Sequence, residues 1–278
     1  MARRVDRGRL AGSRKRFGQH FLEPAWADKV VEAIEPRPND RLLEIGPGRG
    51  VLTLRLAPRV RELIAVEIDR DLARRLTPAL PPSVTLVTGD ILEMDLARLS
   101  AGRPLRVAGN LPYNISSPIL FALIGAYRQG VPLTDATVML QREFAERLLA
   151  QPGSGDYGVL TILTRRHADA RPCLQLPPGA FRPMPRVDSA VVRLTFRPPA
   201  IAVRDEALLE RIVKSVFTQR RKTVLNALRP LTTGLGLDAR QVLGAAGVDD
   251  TLRPEALDIA QLARMADVVA ARRRGAVL

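Results

Sequence analysis

Apolar residues fall along the chain in two patterns, short unbroken runs and longer stretches with helical spacing. Arg41-Leu42-Leu43-Glu44-Ile45, Leu63 to Ile68, Val84 to Thr88 and Leu105 to Gly109 are compact apolar runs, as expected of strands covered on both faces. Thr137–Leu140, Val159–Leu163 and Val191–Phe196 supply three more strand candidates. Helical patterns separate them: one opens at Pro24-Ala25-Trp26 and runs to about Ile34, one spans Val51 to Leu56 and one Ser117 to Tyr127,. Strands alternating with helices predict an open α/β sheet. From Asp205 onward only helical spacing remains, through Leu208, Leu209, Ile212, Val213, Val216 and Phe217, then Val224, Leu225 and Leu228, then Val242, Leu243, Leu257 and Leu262,. Pro198-Pro199 marks a linker between the two regions,.

The first four strand candidates all end in polar or glycine-rich elements. Gly46-Pro47-Gly48-Arg49-Gly50 follows the first. A dinucleotide fingerprint would place a small residue at position 51, where this chain has Val51, so a pyrophosphate is not demanded. Glycines there let a ligand approach the backbone, and the free N–H groups of the next helix suit a carboxylate, such as that of an amino-acid moiety. Glu67 ends the second strand, where a carboxylate can accept both ribose hydroxyls; Asp69 competes for that role,. Asp90 follows the third strand and fits either the amine of a cofactor adenine or the cap of the next turn,. Asn110-Leu111-Pro112-Tyr113 follows the fourth, with an amide acceptor, a stiff proline and a flat ring that together suit an adenine base,. As four isolated residues they read equally well as a turn. In an open α/β sheet, however, ligands bind at the carboxyl ends of the strands, so these elements are expected to meet in one cleft.

Charge adds a partner to this picture. Lys plus Arg number 43 against 29 Asp plus Glu, for a formal charge of +14 and a pI near 11.2, which favours a polyanion such as nucleic acid. Arginine (39) far exceeds lysine (4); a GC-rich genome explains that preference but not the excess of positive charge. Arg14, Lys15 and Arg16 close a basic run over residues 1–16, and Arg220-Arg221-Lys222 form a second cluster; each is either an RNA-backbone contact or a solvated charged stretch,. A single cysteine, Cys173, excludes an intrachain disulfide and a cysteine-cluster metal site, and two histidines, His20 and His167, leave a histidine-rich metal centre unsupported,. No metal is expected. His20 taken alone reads as structural. With no signal-peptide core and no apolar run near the roughly 20 residues of a membrane span, a soluble cytoplasmic protein is expected.

Several blocks carry a resemblance. Phe17-Gly18-Gln19-His20-Phe21-Leu22, Glu44-Ile45-Gly46-Pro47-Gly48-Arg49-Gly50, Glu67-Ile68-Asp69, Gly89-Asp90, Asn110-Leu111-Pro112-Tyr113-Asn114-Ile115-Ser116, Gln141 to Leu148, Phe181 to Ser189 and Phe217-Thr218-Gln219-Arg220-Arg221-Lys222-Thr223 stand in the order found in bacterial small-subunit rRNA adenine N6,N6-dimethyltransferases, which the chain resembles over about residues 14–265. The resemblance implies a Rossmann-like, S-adenosylmethionine-dependent methyltransferase fold: a seven-stranded doubly wound sheet with a small C-terminal all-α domain. The matching divisions are a basic flexible arm (1–16), a catalytic domain (17–198) and a helical domain (199–278).

S-adenosylmethionine is the implied methyl donor, with His20 and Leu22 touching it, Gly46 and Gly48 at its methionine part, Glu67 at the ribose and Asp90 at the adenine amine. Many family members have asparagine in place of His20. Asn110, Leu111, Pro112 and Tyr113 are the implied holders of the target adenine, with Asn110 also beside the cofactor. Phe181 is implied to wall the base pocket opposite Tyr113, although locally it reads equally as a core phenylalanine. The implied partner is small-subunit rRNA in an assembling subunit, and nothing in the sequence calls for an obligate dimer, so a monomer is expected. Two alternatives share the fold: a large-subunit rRNA methyltransferase of the macrolide-resistance type, and a mainly non-catalytic RNA-binding assembly or transcription factor.

Overall fold

The structure, a computed structural model, describes residues 20–275. Arg14, Lys15 and Arg16 lie outside the described residues, as does Phe17-Gly18-Gln19. The chain forms two compact units: one runs to Ala145 and adds Ala170–Phe196, the other comprises Glu146–Asp169 and the chain from Arg197 onward. This differs from the single boundary at 198 that the sequence suggests.

The first unit opens with β1 (Phe21–Leu22) and α1 (Pro24–Ile34), then alternates β2 (Arg41–Ile45), α2 (Thr53–Leu56), β3 (Glu62–Glu67), α3 (Arg70–Leu76), β4 (Val84–Thr88), α4 (Leu96–Ser100), β5 (Leu105–Asn110), α5 (Ser116–Arg128) and β6 (Leu133–Gln141). After α6 (Arg142–Leu149) and α7 (Val159–His167), the chain returns through β7 (Ala168–Leu176), β8 (Phe181–Arg182) and β9 (Ser189–Phe196). Seven strands make the main sheet in the order β4-β3-β2-β5-β6-β9-β7, and β1 pairs separately with β8. Strands β2 to β6 pair in parallel, whereas β9 runs antiparallel to β6. All five residues of β2 are buried, which is why its sequence reads as an unbroken apolar run.

The order of winding positions the site. From β2 the chain steps outward to β3 and β4, then jumps back to place β5 on the other side of β2. That reversal opens a crevice at the carboxyl ends of β2 and β5. The two strands can approach because position 109 is glycine: a Cβ there would lie 2.4 Å from the Ile45 carbonyl oxygen.

Pro24 starts α1 with its φ already set for a helix, and Ala27, Val30, Val31 and Ile34 bury one face. The far end of α1 is held by arginines. Arg106 donates to the carbonyls of Ile34 (2.7 Å) and Glu35 (2.8 Å), and pairs with Asp40 and Asp135. Arg193 donates to Ala33 (2.6 Å) and to the Glu35 carboxylate (2.8 Å). Arg41, Arg106, Arg166 and Arg193 are all buried, so part of the arginine excess serves the interior, where a planar five-donor fork can satisfy several acceptors at once.

Apart from Ala168 and Asp169, which begin β7, the regular elements described for the second unit are helices. Val159–Leu163, expected as a strand, instead lies in α7, with Leu160, Thr161, Ile162 and Thr164 buried. Ile162 joins Tyr157 and residues of α8 (Glu206–Thr218), α9 (Val224–Thr233), α10 (Ala239–Ala246) and α11 (Ile259–Gly275) in one apolar core. Asp205, Thr223 and Asp238 cap α8, α9 and α10 by accepting backbone N–H bonds,. The strand that fills the expected seventh place is β7, whose burial is confined largely to its two ends.

Candidate functional site

A cavity at the crevice is lined by residues from four of the expected elements: His20, Phe21 and Leu22; Gly46, Pro47, Gly48 and Arg49; Glu67; and Asn110, Leu111, Pro112 and Tyr113. Glu44, Val51 and Leu52 complete it.

The glycine loop follows β2 in left-handed backbone, with Gly48 at φ +58°. A Cβ at Gly48 would also come within 3.2 Å of the Phe21 ring, so the loop and β1 can close together only around glycine. The ordered helix begins later than the Val51 expected, at Thr53, because residues 47–52 are taken up by turns, including the Gly50 N–H to Pro47 carbonyl bond of 2.8 Å.

Glu67 is 3% exposed, and its carboxylate is fixed by two backbone amides, Gly48 N–H and Asp69 N–H, each at 2.9 Å. Burial pushes its carboxyl upward, against the lowering effect of those amides,. The competing acid, Asp69, is spent capping α3, accepting from Asp71 and Leu72. Glu67 therefore links the glycine loop to the end of β3.

Sequence alone assigns Glu44 no role beyond its place in the glycine-loop block. It is 1% exposed, and burial pushes its carboxyl up to about 7, opposed by Thr53 and reinforced by the nearby charge of Glu67. Its Oε2 is buried without a hydrogen-bond partner. A charged residue inside the apolar run Arg41–Ile45 is the signal that marks it, since an ionisable group rarely sits in a buried strand without a partner.

The Asn110–Tyr113 segment is braced from several sides. The Asn110 Nδ2 donates to the His20 carbonyl (2.8 Å), which commits the amide nitrogen and leaves Oδ1 as the acceptor for the cavity,. Leu111 is 1% exposed and its N–H continues the sheet to Met139. The Pro112 carbonyl accepts from the Ile115 N–H and the Ser116 hydroxyl, making a tight turn. The Tyr113 hydroxyl bonds Ser189 Oγ at 2.6 Å, and its ring is stacked with the His20 imidazole, centroids 5.6 Å apart. His20 also bonds the Pro183 carbonyl through Nδ1 at 2.7 Å; since a carbonyl only accepts, Nδ1 carries the proton.

Two expected site residues do not line this cavity. Asp90 caps the following turn by accepting the Leu92 N–H at 2.9 Å. Phe181 is fully buried in the core of the first unit, opposite Leu22 in the β1–β8 pair. Arg220, Arg221 and Lys222 form a turn after α8 rather than a helix face; Arg221 and Lys222 are exposed, and Arg220 donates to the Gly155 carbonyl at 2.6 Å. Among the described residues no cluster of His, Cys, Asp or Glu could hold a metal, and no helix is long and apolar enough to cross a membrane.

Comparison with known proteins agrees with this geometry. A family model described as ribosomal RNA adenine dimethylase matches residues 11–271. The chain is 46% identical over 265 residues to the ribosomal RNA small subunit methyltransferase A of Pseudomonas syringae pv. syringae, covering 92% of this chain and 94% of that protein. It is 41% identical to the protein of the same name from Proteus mirabilis, over 99% of this chain and all of that one. Among solved structures, a dimethyladenosine transferase from Plasmodium falciparum aligns with TM-score 0.69 and 25% identity over 88% of this chain and 96% of that one. The 23S rRNA methyltransferase ErmE aligns with TM-score 0.65 and 28% identity over 90% of this chain and 99% of that one.

Proposed function

The chain belongs to the ribosomal RNA adenine dimethylase family, and on that premise we propose that it dimethylates the exocyclic N6 of two adjacent adenosines near the 3′ end of small-subunit rRNA. The observation that carries this reading is the placement of Asn110–Tyr113 on the rim of the cavity that also holds the glycine loop and Glu67. The greater identity to small-subunit enzymes than to the 23S enzyme favours the small-subunit branch.

The cavity suits S-adenosylmethionine. Glu44 offers a buried, unpartnered carboxylate oxygen to the ligand's ammonium group, the glycine loop leaves room for its methionine part, and Glu67 is set for the ribose hydroxyls. His20 and Leu22 close the cavity from the β1 side. Asp90 accepts the adenine amine through the carboxylate oxygen that does not cap the turn. When bound, S-adenosylmethionine supplies a methyl group on a sulfonium that departs as a neutral thioether.

The protein's own task is to expose the N6 lone pair, which the purine ring otherwise delocalises. Asn110 Oδ1 and the Leu111 carbonyl accept the two N6–H bonds, holding the nitrogen in a geometry that turns its lone pair toward the methyl group. Tyr113 stacks on the extruded base; such stacking contributes about 1–3 kcal/mol per base and offsets part of the cost of extrusion. Each transfer leaves N6 positively charged, and a proton then passes from N6 to solvent; the second transfer proceeds with one N–H acceptor given up. Phe181, buried and paired with Leu22 of β1, supports the pocket wall opposite Tyr113. Arg14, Lys15, Arg16, Arg220, Arg221 and Lys222 bind the RNA backbone, which gives salt-dependent affinity with little sequence reading. The enzyme acts as a cytoplasmic monomer on an assembling small subunit.

The test is to supply labelled S-adenosylmethionine with unmethylated small subunits, or with naked large-subunit rRNA, and to analyse nucleosides by mass spectrometry. Dimethyladenosine is expected in the small-subunit rRNA. Dimethyladenosine in the large-subunit rRNA alone would assign the chain to the other branch.

A further inference from the structure

Beside the cavity, residues 182–187 form an arch that the reaction described above does not use. Both feet are fastened to the site. At the near foot, Phe181 and Arg182 pair with Leu22 and Phe21, and the Pro183 carbonyl accepts the His20 Nδ1–H at 2.7 Å. At the far foot, Ser189 Oγ bonds the Tyr113 hydroxyl at 2.6 Å, while Asp188 takes the Arg142 guanidinium at 2.9 Å and its carbonyl takes the Arg142 N–H at 2.9 Å. Pro185 is buried, pinning the middle of the arch. Between these anchors Met184 is 59% exposed, the most exposed of the large apolar side chains named for the described residues, with Val187 at 43%. Arg182 and Arg186 flank Met184 and are exposed.

Met184 stands between two prolines, one of them buried, so its exposed thioether chain is held out from the surface with Val187 exposed beside it. Proteins that open nucleic-acid stacks insert such wedges, with methionine and proline among the residues used, and flank them with cations for the phosphates. The arch has both features, and Ser189 and His20 tie it to Tyr113, the ring assigned to the extruded adenine. We propose that Met184 enters the rRNA stack in the gap left by the extruded adenine, with Arg182 and Arg186 at the adjoining phosphates. This makes Met184 a positioning residue: it touches the RNA but not the reacting atoms, and holds the extruded state open. The proposal rests on the rRNA adenine methyltransferase reading and adds the partner of a surface that this reading leaves unused.

The experiment uses full-length protein with Met184→Ser and, as a conservative control, Met184→Leu; both change an exposed side chain. Two RNAs carry the target adenosines, one in a folded, stacked small-subunit segment and one in a short unstacked single strand. A third, folded RNA carries 2-aminopurine at the target position and reports extrusion by fluorescence with S-adenosylhomocysteine bound. Met184→Ser is expected to lower kcat/KM on the folded RNA at least tenfold and to reduce the fluorescence rise. It should match the unsubstituted protein on the unstacked strand and in S-adenosylmethionine Kd, and Met184→Leu should restore most of the loss. Wild-type rates for Met184→Ser on folded RNA, or an equal loss on both RNAs, would overturn the proposal. Absence of methylation by the unsubstituted protein on every adenosine substrate would instead overturn the enzymatic reading, and the wedge with it.

Discussion

Glu44→Gln tests whether the site carries a built-in electrostatic cost. Glu44 is buried, its Oε2 lacks a partner, and Glu67 lies near enough to repel it, so its carboxyl is pushed from an ordinary 4.5 to about 7. A carboxyl whose folded-state pKa is raised contributes stability that is complete below pH 4.5 and is lost as pH rises through about 7,. At about 1.4 kcal/mol per pH unit, the difference between those two values corresponds to on the order of 3 kcal/mol. Glutamine has nearly the same shape and no proton to lose. At pH 5 the variant and the parent should therefore unfold in urea at similar midpoints, while at pH 8.5 the cofactor-free variant should be the more stable by about 2–3 kcal/mol. S-adenosylmethionine should narrow that gap, because its ammonium group compensates an ionised Glu44 and not a glutamine. A stability difference between the two proteins that does not change from pH 5 to 8.5 would refute the electrostatic reasoning.

Other substitutions probe other links. Glu67→Gln turns an NH2 group toward one of the two amide donors at 2.9 Å and replaces the charged acceptor proposed for the ribose hydroxyls with a neutral one; a hydrogen bond to a charged group contributes about 1.5–3 kcal/mol, so calorimetry should show S-adenosylmethionine affinity weakened by about 10- to 150-fold. Gly109→Ala places a Cβ 2.4 Å from the Ile45 carbonyl oxygen, and since neither partner is a flexible side-chain end, unfolding stability should fall by about 3 kcal/mol or more. Tyr113→Phe loses the bond to Ser189 but keeps its ring and should raise the RNA KM by no more than about fivefold. Tyr113→Ala removes the stack as well and should lower kcat/KM by a further five- to 150-fold or so.

The sequence disclosed the fold where burial was uniform and hid it where burial was partial. Arg41–Ile45 and Leu105–Asn110 are covered along nearly their whole length, so an unbroken apolar run identifies them as strands. Val159–Leu163 has the same apolar look, yet its run continues into Thr164, Arg166 and His167, all buried in a helix whose core lies in the second unit. The true seventh strand, Ala168–Leu176, lies at the sheet edge, contains Pro172 and buries little between its ends; an edge strand tolerates proline and polar residues that erase the two-residue period. At the site, Glu67 and Asn110 were legible because strand ends in an α/β sheet converge on one crevice. Glu44 escapes a sequence pattern because its burial and missing partner are properties of packing, and Asp90 fits two roles because one of its carboxylate oxygens caps the following turn while the other is left over. His20, which alone reads as structural, stacks with Tyr113 and gives its carbonyl to Asn110, 90 residues away in sequence, a proximity that no local pattern contains.

On the proposed mechanism Asn110 acts on the target nitrogen and is not merely a brace for the segment before β1. Asn110→Ala should bind S-adenosylmethionine within about threefold of the parent by calorimetry, yet its single-turnover methylation of small subunits should fall by at least about 100-fold, the scale set by removing a preorganised polar group from a reacting centre. Methylation within a few-fold of the parent rate, with cofactor binding intact, would rule out that role for Asn110.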